Sequence, residues 1–331
     1  MFKNLLFVLF IIAVLGGGLY LYANNSGWSY KNIVDDDKVI EMNDTKETLT
    51  LIFVGDIMLS RSVNKKMEEK EDWAWPFQKI APWLSSADLT FGNLEGPISD
   101  KGINVGSIYS FRADPRSVEG LSLAGFDILS VANNHMGDWA APAFEDTLQR
   151  LTEVNIDYIG GGFNQSEAYG PLKKTLNETR FCFFAYTDLG PRSFEASGEN
   201  PGMAFLEIES AQKDLELHES SCDLSIVSLH FGEEYKEKAS SYQKTITKAL
   251  VSSGADLIVG HHPHVISEVE MIDDAYIYYS LGNFIFDQMF SEKTRQGIAL
   301  VAEVKDKKFT SLVPHQIYIN SEYQAELKNG I

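Results

Sequence analysis

The amino-acid sequence predicts an α/β domain that follows an N-terminal transmembrane helix. From residue 49 onward, short apolar segments typical of strands alternate with longer segments of helical periodicity, which is the pattern of largely parallel sheets. The chain has 331 residues, 44% of them hydrophobic and 12% aromatic, and this is the composition of a globular protein. This length allows one large α/β domain or two small ones.

The N-terminal segment predicts a membrane anchor in residues 1–23. Residues 5–23 carry no charge, and about 20 apolar residues suffice for a helix to cross the hydrocarbon core. A cleaved signal peptide is the alternative, but Leu21 stands two places before Ala23, where a cleavage site needs a small residue. Lys3 before the segment and acidic residues after it predict a single-pass protein of the cell membrane, with its domain on the extracytoplasmic side.

A polar stretch separates the predicted anchor from the domain. Residues 24–47 include three consecutive aspartates and predict a linker. The domain is expected to fill residues 48–331. Its main strands are predicted at 49–56, 89–93, 127–134, 157–162, 181–187, 224–230, 256–262 and 276–283, with helical patterns between them, for example at 117–125, 141–154 and 242–254. Residues 297–304 and 309–319 have little helical sequence between them and predict antiparallel strands that close the sheet.

Acidic residues dominate the charge of the chain. The formal net charge is −19 at pH 7. Proteins bind the phosphates of nucleic acids through Lys and Arg, so this charge excludes nucleic acid as a partner. Solubility alone accounts for the acidity. An anionic substrate would need a local cationic focus, such as metal ions, to overcome the overall field.

The two cysteines, Cys182 and Cys222, stand in or beside apolar segments that read as strands. Neither belongs to a C-x-x-C pattern, so they indicate neither a zinc site nor a redox motif. Two buried free thiols and an extracellular disulfide are both consistent with the sequence.

Polar side chains follow several of the predicted strands at their C-terminal ends. In α/β sheets this edge is where sites are built. These residues are Asp56, Asn93, Glu95, Asn133, Asn134, His135, His230, His261, His262, His264 and Asn283. Separate helix caps and turns are the alternative, but so many such residues in one structural position make that account poor.

The residue types at these strand ends indicate a metal site. Imidazole and carboxylate ligands suit manganese, iron or zinc. One Asp, one Glu, one Asn and three His supply about the six ligands that two metal ions sharing a bridging carboxylate need. His261 directly precedes a proposed ligand on an extended strand end, so we expect its side chain to point away from the site.

Six segments of the chain resemble the successive motifs of one known family. They are VGDIMLSR (54–61), FGNLEGPIS (91–99), VANNHMGD (131–138), LHFGEEY (229–235), GHHPHVI (260–266) and SLGNFIFDQ (280–288). These segments resemble the CapA family of capsule, or poly-γ-glutamate, synthesis proteins, distant relatives of the calcineurin-like metallophosphatases. The resemblance implies a four-layer α/β/β/α sandwich of metallophosphatase type with metals at one end of the two sheets.

The resemblance also assigns roles to individual metal ligands. It implies that Asp56 binds the first metal and that Glu95 takes the position of the bridging carboxylate. The second metal would be held by Asn134, His230 and His262. The remaining histidine of that motif, His264, would return to the first metal.

The same resemblance implies an acid catalyst and reveals one departure. His135, which follows the ligand Asn134, would protonate a leaving oxygen, and Asp138 would orient it. The first motif of the phosphatases is D-x-H, whereas this chain has Met58 at the position of the histidine. Methionine is a poor ligand for hard divalent cations, so one metal would bind weakly or take Glu234 or a water molecule instead.

Two arginines of the family-like segments, Arg61 and Arg112, are candidates for substrate binding near the mouth of the site. A guanidinium group holds a carboxylate or phosphate through two hydrogen bonds. A structural salt bridge is an equally good account of each, because this chain is rich in carboxylates.

Two classes of function are consistent with these features. The first is a metal-dependent hydrolase acting in the synthesis or export of an anionic capsule polymer, or on a precursor of it. The second is a non-catalytic subunit that binds or passes the polymer, alongside a polymer ligase and other membrane subunits. The pair Asn134 and His135 favours the first, since a binding module needs no general acid. The anchor and the linker suit the second.

Overall fold

The computed structural model describes residues 48–328 and, before them, two short strands that pair antiparallel, β1 (Ala13–Val14) and β2 (Leu19–Tyr20). The predicted linker and the other residues of the predicted anchor lie outside the described residues. Within the described part of the chain, no helix is long and apolar enough to cross a membrane. By their contacts, Met1–Thr45 and Lys46–Ile331 are separate units, and the sheets described below belong to the second.

The first large sheet has a parallel centre and an antiparallel flank. Its strands, in spatial order, are β18 (Ala325–Leu327), β17 (Lys308–Ile319), β16 (Gln296–Lys305), β3 (Leu49–Ile57), β4 (Leu89–Leu94), β5 (Ile128–Ser130) and β6 (Asp157–Ile159), and β15 (Asn283–Ile285) also pairs with β3. Strands β3 to β6 run parallel, while β16 and β17 pair antiparallel as predicted for the end of the chain.

The second sheet also has a parallel centre, with an antiparallel strand at each edge. Its order is β13 (Val269–Ile272), β14 (Ala275–Tyr278), β12 (Leu257–His261), β11 (Leu224–His230), β9 (Thr179–Thr187) and β8 (Leu172–Leu176). The four inner strands are parallel and the two edge strands antiparallel. A separate pair of short strands joins β7 (Gly161–Gly162) to β10 (Gly202–Met203).

Helices cover the outer faces of both sheets. They are α1 (Arg61–Lys70), α2 (Ala81–Leu84), α3 (Ser117–Ala124), α4 (Ala140–Glu153), α5 (Gln165–Tyr169), α6 (Ile208–His218) and α7 (Ser241–Ser252). Helices α1 to α4 pack on the first sheet and α6 with α7 on the second. The start of α7 is set by a capping box, in which Ser240 accepts from the backbone of Gln243 and the Gln243 side chain accepts from the backbone of Ser240.

The alternation of side chains along the strands produces three apolar layers. On β3, Ile52 and Val54 face the helices, while Phe53 faces the other sheet. The rings of Phe91 and Phe183, one from each sheet, stack with their centroids 6.2 Å apart. The layers therefore follow the predicted order of helix, sheet, sheet, helix.

Of the two states considered for the cysteines, the structure has the disulfide. Cys182 of β9 is bonded to Cys222, which lies just before β11, and their Cα atoms are 5.7 Å apart. The sequence left this pairing open, because spacing along a chain does not give distance in space. The bond joins the starts of two neighbouring parallel strands of the second sheet.

Candidate metal centre

Parallel pairing brings the polar strand ends to one edge of the two sheets. In the first sheet Asp56 lies opposite Asn93 on β4 and opposite Asn283 on β15. In the second sheet His230 lies opposite His261. Four of these residues lie at or near the carboxyl ends of their strands, whereas Asn283 is the first residue of β15. Their side chains gather at one edge, as predicted from their position in the sequence.

The centre of this cluster is formed by Asp56, Glu95 and His230. One ligand atom from each lies within 4.8 Å of the others, and all three residues are buried. Burial alone would raise the pKa of Asp56, but contacts with His261 and His264 hold it well below its usual range. The Asp56 carboxylate is therefore the charged form that binds a cation.

The buried side chain of Glu95 gives the clearest fit to a metal ion. The residue is 1% exposed, and neither carboxylate oxygen has a hydrogen-bond partner. Burial raises the pKa of this carboxyl group well above its usual range. An ionised carboxylate without a partner is costly to bury unless a metal or another cation compensates it. The donor set around Glu95 therefore fits a divalent metal ion.

His264 stands between the two carboxylates. Its Nδ1 is 3.2 Å from Asp56 Oδ2 and its Nε2 is 3.6 Å from Glu95 Oε1. Asn283 orients the ring, since its Oδ1 lies 3.0 Å from His264 Nδ1. Burial opposes protonation, but the charges of Glu95 and Asp56 raise the pKa of His264 to about 9, so a metal ion bound here would displace its proton. The predicted grouping of His264 with Asp56 and Glu95 is therefore present in the geometry.

The ligands predicted for the second metal also lie together. Asn134 Oδ1 is 2.7 Å from His230 Nε2, and the rings of His230 and His262 are 5.0 Å apart at their centroids. Burial lowers the pKa of His230 well below its usual range and that of His262 to about 3. Both imidazoles are neutral at pH 7, which is the form that coordinates metals.

The backbone around the site adopts conformations that are uncommon for residues other than glycine. His262 has φ 94°, His264 φ 56° and Tyr235 φ 65°. Such conformations cost about 1–3 kcal/mol each and cluster at functional sites, where the surrounding fold enforces them. Here they turn the chain sharply after β12, so that His262 and His264 both reach the cluster.

His135 and Asp138 form the pair predicted for acid catalysis. His135 Nδ1 lies 2.7 Å from Asp138 Oδ2, and its Nε2 is 3.8 Å from Glu95 Oε1. Asp138 is fixed in turn by the backbone N–H of Phe111 at 2.8 Å and the hydroxyl of Ser107 at 2.9 Å. The Phe111 ring stacks on the imidazole at 3.8 Å between centroids. This arrangement directs Nε2 of His135 toward the cluster.

The expectation for His261 is wrong. Its Nδ1 lies 3.2 Å from Asp56 Oδ1, although neither ring nitrogen makes a hydrogen bond. The prediction assumed that side chains alternate along an extended strand, but β12 ends at His261 and the chain turns at His262 with φ 94°. His261 is fully buried between the sheets, near Phe91.

Asn93 has a central position that the sequence did not reveal. Its Nδ2 donates to Asp56 Oδ1 at 2.8 Å and lies 3.4 Å from His230 Nδ1. Its Oδ1 accepts from Asn133 at 3.1 Å. Its position at a strand end was visible in the sequence, but an Asn there is also typical of a turn. In the structure its amide links Asp56 of the first sheet to His230 of the second.

Met58, at the position of the phosphatase histidine, is engaged within its own turn. Its sulfur accepts hydrogen bonds from the backbone N–H of Ser60 at 3.1 Å and from the Ser60 hydroxyl at 2.9 Å. Glu234, the suggested replacement ligand, is exposed. Its charge still acts on the cluster. Burial is the main cause of the raised pKa of Glu95, and the charges of Asp56 and Glu234 raise this pKa further.

The two arginines both make contacts inside the domain. Arg61 is paired with Asp287, and its guanidinium lies 4.9 Å from the Phe111 ring centroid. Arg112 donates to the backbone carbonyl of Lys101 at 3.2 Å and lies 3.5 Å over the ring of Trp139. Arg61 therefore forms a salt bridge, which was one of the two interpretations of this residue. Substrate binding by either arginine stays a prediction.

Comparison with known proteins finds relatives whose descriptions agree with one another. The model of a family described as "Bacterial capsule synthesis protein PGA_cap" matches residues 50–288. The chain is 34% identical over 274 residues to "Capsule biosynthesis protein CapA" of Bacillus anthracis, covering 78% of this chain and 65% of that one. It is 32% identical over 268 residues to "PGA biosynthesis protein CapA" of Bacillus subtilis, covering 78% and 68%. The chain therefore spans about two thirds of the length of these relatives.

Solved structures with a similar fold include two with a TM-score of 0.50. One is a hypothetical protein from Thermus thermophilus, 15% identical, with 81% of this chain and 98% of that chain covered. The other is a putative 5'-nucleotidase from Staphylococcus aureus, 14% identical, with 85% and 54% covered. At these identities the likeness establishes the fold alone, which is a mixed α/β fold.

Proposed function

Because the chain belongs to the family of bacterial capsule synthesis proteins, we propose that it acts in the synthesis or export of an anionic capsule polymer of the poly-γ-glutamate type. The names of the two Bacillus relatives support this role. The activity, substrate and partners of the whole protein are part of the proposal, since the relatives are longer.

The proposed chemistry is metal-dependent hydrolysis. One observation carries it: the buried carboxylate of Glu95 has no hydrogen-bond partner and lies beside Asp56 and His264. When bound, two ions of manganese, iron or zinc would polarise the bond to be cleaved and lower the pKa of a water molecule. Asp56, Glu95 and His264 would hold one ion. Its neighbour would be held by Glu95 together with Asn134, His230 and His262.

The chain's own acid would be His135. Its Nδ1 is held by Asp138, so Nε2 faces the cluster, 3.8 Å from Glu95 Oε1, and would carry the proton to be donated. Donation of this proton to the leaving oxygen would complete the cleavage. The stacked ring of Phe111 keeps the imidazole in this orientation.

The second candidate is a non-catalytic subunit of a polymer synthase complex, working beside a polymer ligase and other membrane subunits. The observation that favours it is the buried sulfur of Met58 at a ligand position of the phosphatases. With one ligand fewer, the site would retain a metal for structure and lose turnover.

The proposed location is the cell membrane, with the domain on the extracytoplasmic side. The disulfide between Cys182 and Cys222 supports it, because such bonds persist in oxidising compartments. Protease added to cells stripped of any outer wall should release the domain from the membrane fraction. Finding the domain only in the medium, beginning near Asn24, would contradict the anchor.

The proposed chemistry is tested by metal analysis and an activity screen on the purified full-length protein. Phosphodiesters, pyrophosphates, poly-γ-glutamate and peptidoglycan fragments would be compared as substrates. We expect bound divalent metal and hydrolysis of one class, lost on chelation. Bound metal without hydrolysis of any of them, in a protein that supports polymer production in cells, would favour the assembly role.

A further inference from the structure

Three exposed aromatic side chains border the metal cluster, and we call them the aromatic rim: Tyr109, Tyr235 and Phe290. Their exposed fractions are 65%, 44% and 69%. Large apolar groups that stay exposed together beside a functional centre mark a binding surface. The predicted substrate residues did not include any of the three.

Tyr235 is built into the site. Its backbone N–H donates to the Pro263 carbonyl at 2.8 Å, between the two proposed ligands of the GHHPH segment, and its ring lies 6.5 Å from the His264 ring. The left-handed backbone at Tyr235, with φ 65°, is costly for an aromatic residue. Tyr235 nevertheless adopts this conformation beside the cluster, and its exposed ring lies at the mouth of the site.

Phe290 extends the surface formed by Tyr235. The two rings meet edge to face, 5.5 Å apart at their centroids. Gln288 connects them to the cluster: its Nε2 donates to the Tyr235 hydroxyl at 3.4 Å, and its Oε1 accepts from Asn283 at 3.1 Å. Asn283 is the residue that orients His264.

Tyr109 belongs to the loop that is fastened to Asp138. That loop is held at Ser107 and Phe111, on either side of the tyrosine. Burial and the neighbouring Glu234 and Tyr109 raise the pKa of Tyr235, and the two anchors on Asp138 hold the loop of Tyr109 beside the His135–Asp138 pair.

The charges around the rim do not suit a polyanion. Arg61 is paired with Asp287, and Lys293, three residues after Phe290, is paired with Glu237. Glu234, exposed next to Tyr235 in the chain, adds negative charge. A polymer with one carboxylate per unit would meet repulsion here, in a chain whose net charge is already −19.

We propose that the aromatic rim binds a sugar ring of a glycan beside the metal cluster. The negative face of an aromatic ring attracts the weakly positive C–H face of a sugar, and the Glu234 carboxylate accepts hydrogen bonds from hydroxyl groups. The proposal rests on the proposed function, since it names what the same site holds. It adds that the saccharide, and not the anionic polymer, contacts the rim.

The test is calorimetric titration of the metal-loaded full-length protein with two probes, the neutral tetramer of N-acetylglucosamine and a γ-linked glutamate tetramer. The wild type should bind the saccharide more tightly than the glutamate oligomer. Tyr235→Ala and Phe290→Ala should each weaken saccharide binding by about tenfold, while Tyr235→Phe, which keeps the ring, should lose less. Met271→Ala removes an equally exposed apolar side chain from the edge strand β13 and should bind as the wild type does.

The proposal would be overturned if the wild type bound the glutamate oligomer more tightly or did not bind the saccharide. It would also be overturned if both alanine variants bound the saccharide as tightly as the wild type does. Metal content is measured in every preparation. Wild-type protein that holds no metal would contradict the proposed function. If the metal is bound but the aromatic rim does not bind the saccharide, this inference alone is contradicted. If Tyr235→Ala does not fold, the exposed Phe290 gives the answer by itself.

Discussion

Replacing Glu95 with glutamine should change stability in opposite directions with and without metal. In the metal-free protein the carboxyl group is buried without a hydrogen-bond partner and has a raised pKa. A group of this kind destabilises the fold as the pH rises above its unfolded pKa, because the unfolded chain releases the proton more readily. Glutamine has no proton to lose, so Glu95→Gln removes this penalty.

The size of the effect follows from the pH. The ordinary pKa of the group is 4.5, so pH 7 lies about 2.5 units higher, and each unit corresponds to about 1.4 kcal/mol. The penalty at pH 7 therefore has an upper limit of about 3.5 kcal/mol, since the buried group can keep its proton instead of ionising. We expect Glu95→Gln to raise the free energy of unfolding of the metal-free protein by about 1–3 kcal/mol at pH 7, and by less at pH 5.

Metal should reverse this order. A metal present at about 1,000 times its dissociation constant stabilises the folded wild type by about 4.1 kcal/mol. Glu95→Gln loses the proposed bridging ligand and should gain much less. The assay is urea unfolding at pH 5 and pH 7, with chelator and with Mn²⁺. Glu303→Gln, at an exposed position of β16, is the matched control and should shift neither value. A variant less stable than wild type in chelator, or one stabilised equally by Mn²⁺, would refute the reasoning.

Three further outcomes are expected. His135→Ala should keep its metal and lower the turnover number by roughly 10²–10⁴, the usual contribution of an acid catalyst; loss of metal would make His135 a ligand. His262→Ala should lower metal content, and unchanged content would remove it from the ligand set. Replacing Cys182 and Cys222 together with alanine should lower the free energy of unfolding by about 4 kcal/mol, the chain-entropy value for a loop of this length, since 40 positions separate the two. Urea unfolding measures this change, and a variant as stable as the oxidised wild type would contradict it.

The sequence was sufficient to locate the cluster because the fold concentrates its chemistry at strand ends. Asp56 and Glu95 lie at the ends of neighbouring parallel strands of the first sheet, and His230 lies at the end of a parallel strand of the second. The rule that sites form at the carboxyl ends of strands therefore predicted one common edge. The partnership of His135 with Asp138 was also accessible, since the two lie three residues apart in one turn.

The sequence did not reveal features that depend on local backbone turns or on distant contacts. The direction of His261 depends on the φ of the next residue, which an alternating pattern does not predict. The pairing of Arg61 with Asp287 joins positions 226 residues apart, and the role of Asn93 depends on both sheets meeting at one edge. Each of these features requires the assembled domain.

Crystals grown with Mn²⁺ would test the central claim most directly, through anomalous diffraction at the metal's absorption edge. The account predicts two anomalous peaks that share Glu95, one beside Asp56 and His264 and the other beside His230 and His262. Full occupancy of only the second position would identify Met58 as the cause of a weakened first position. An absence of peaks at Glu95 in crystals that bind Mn²⁺ elsewhere would contradict the account.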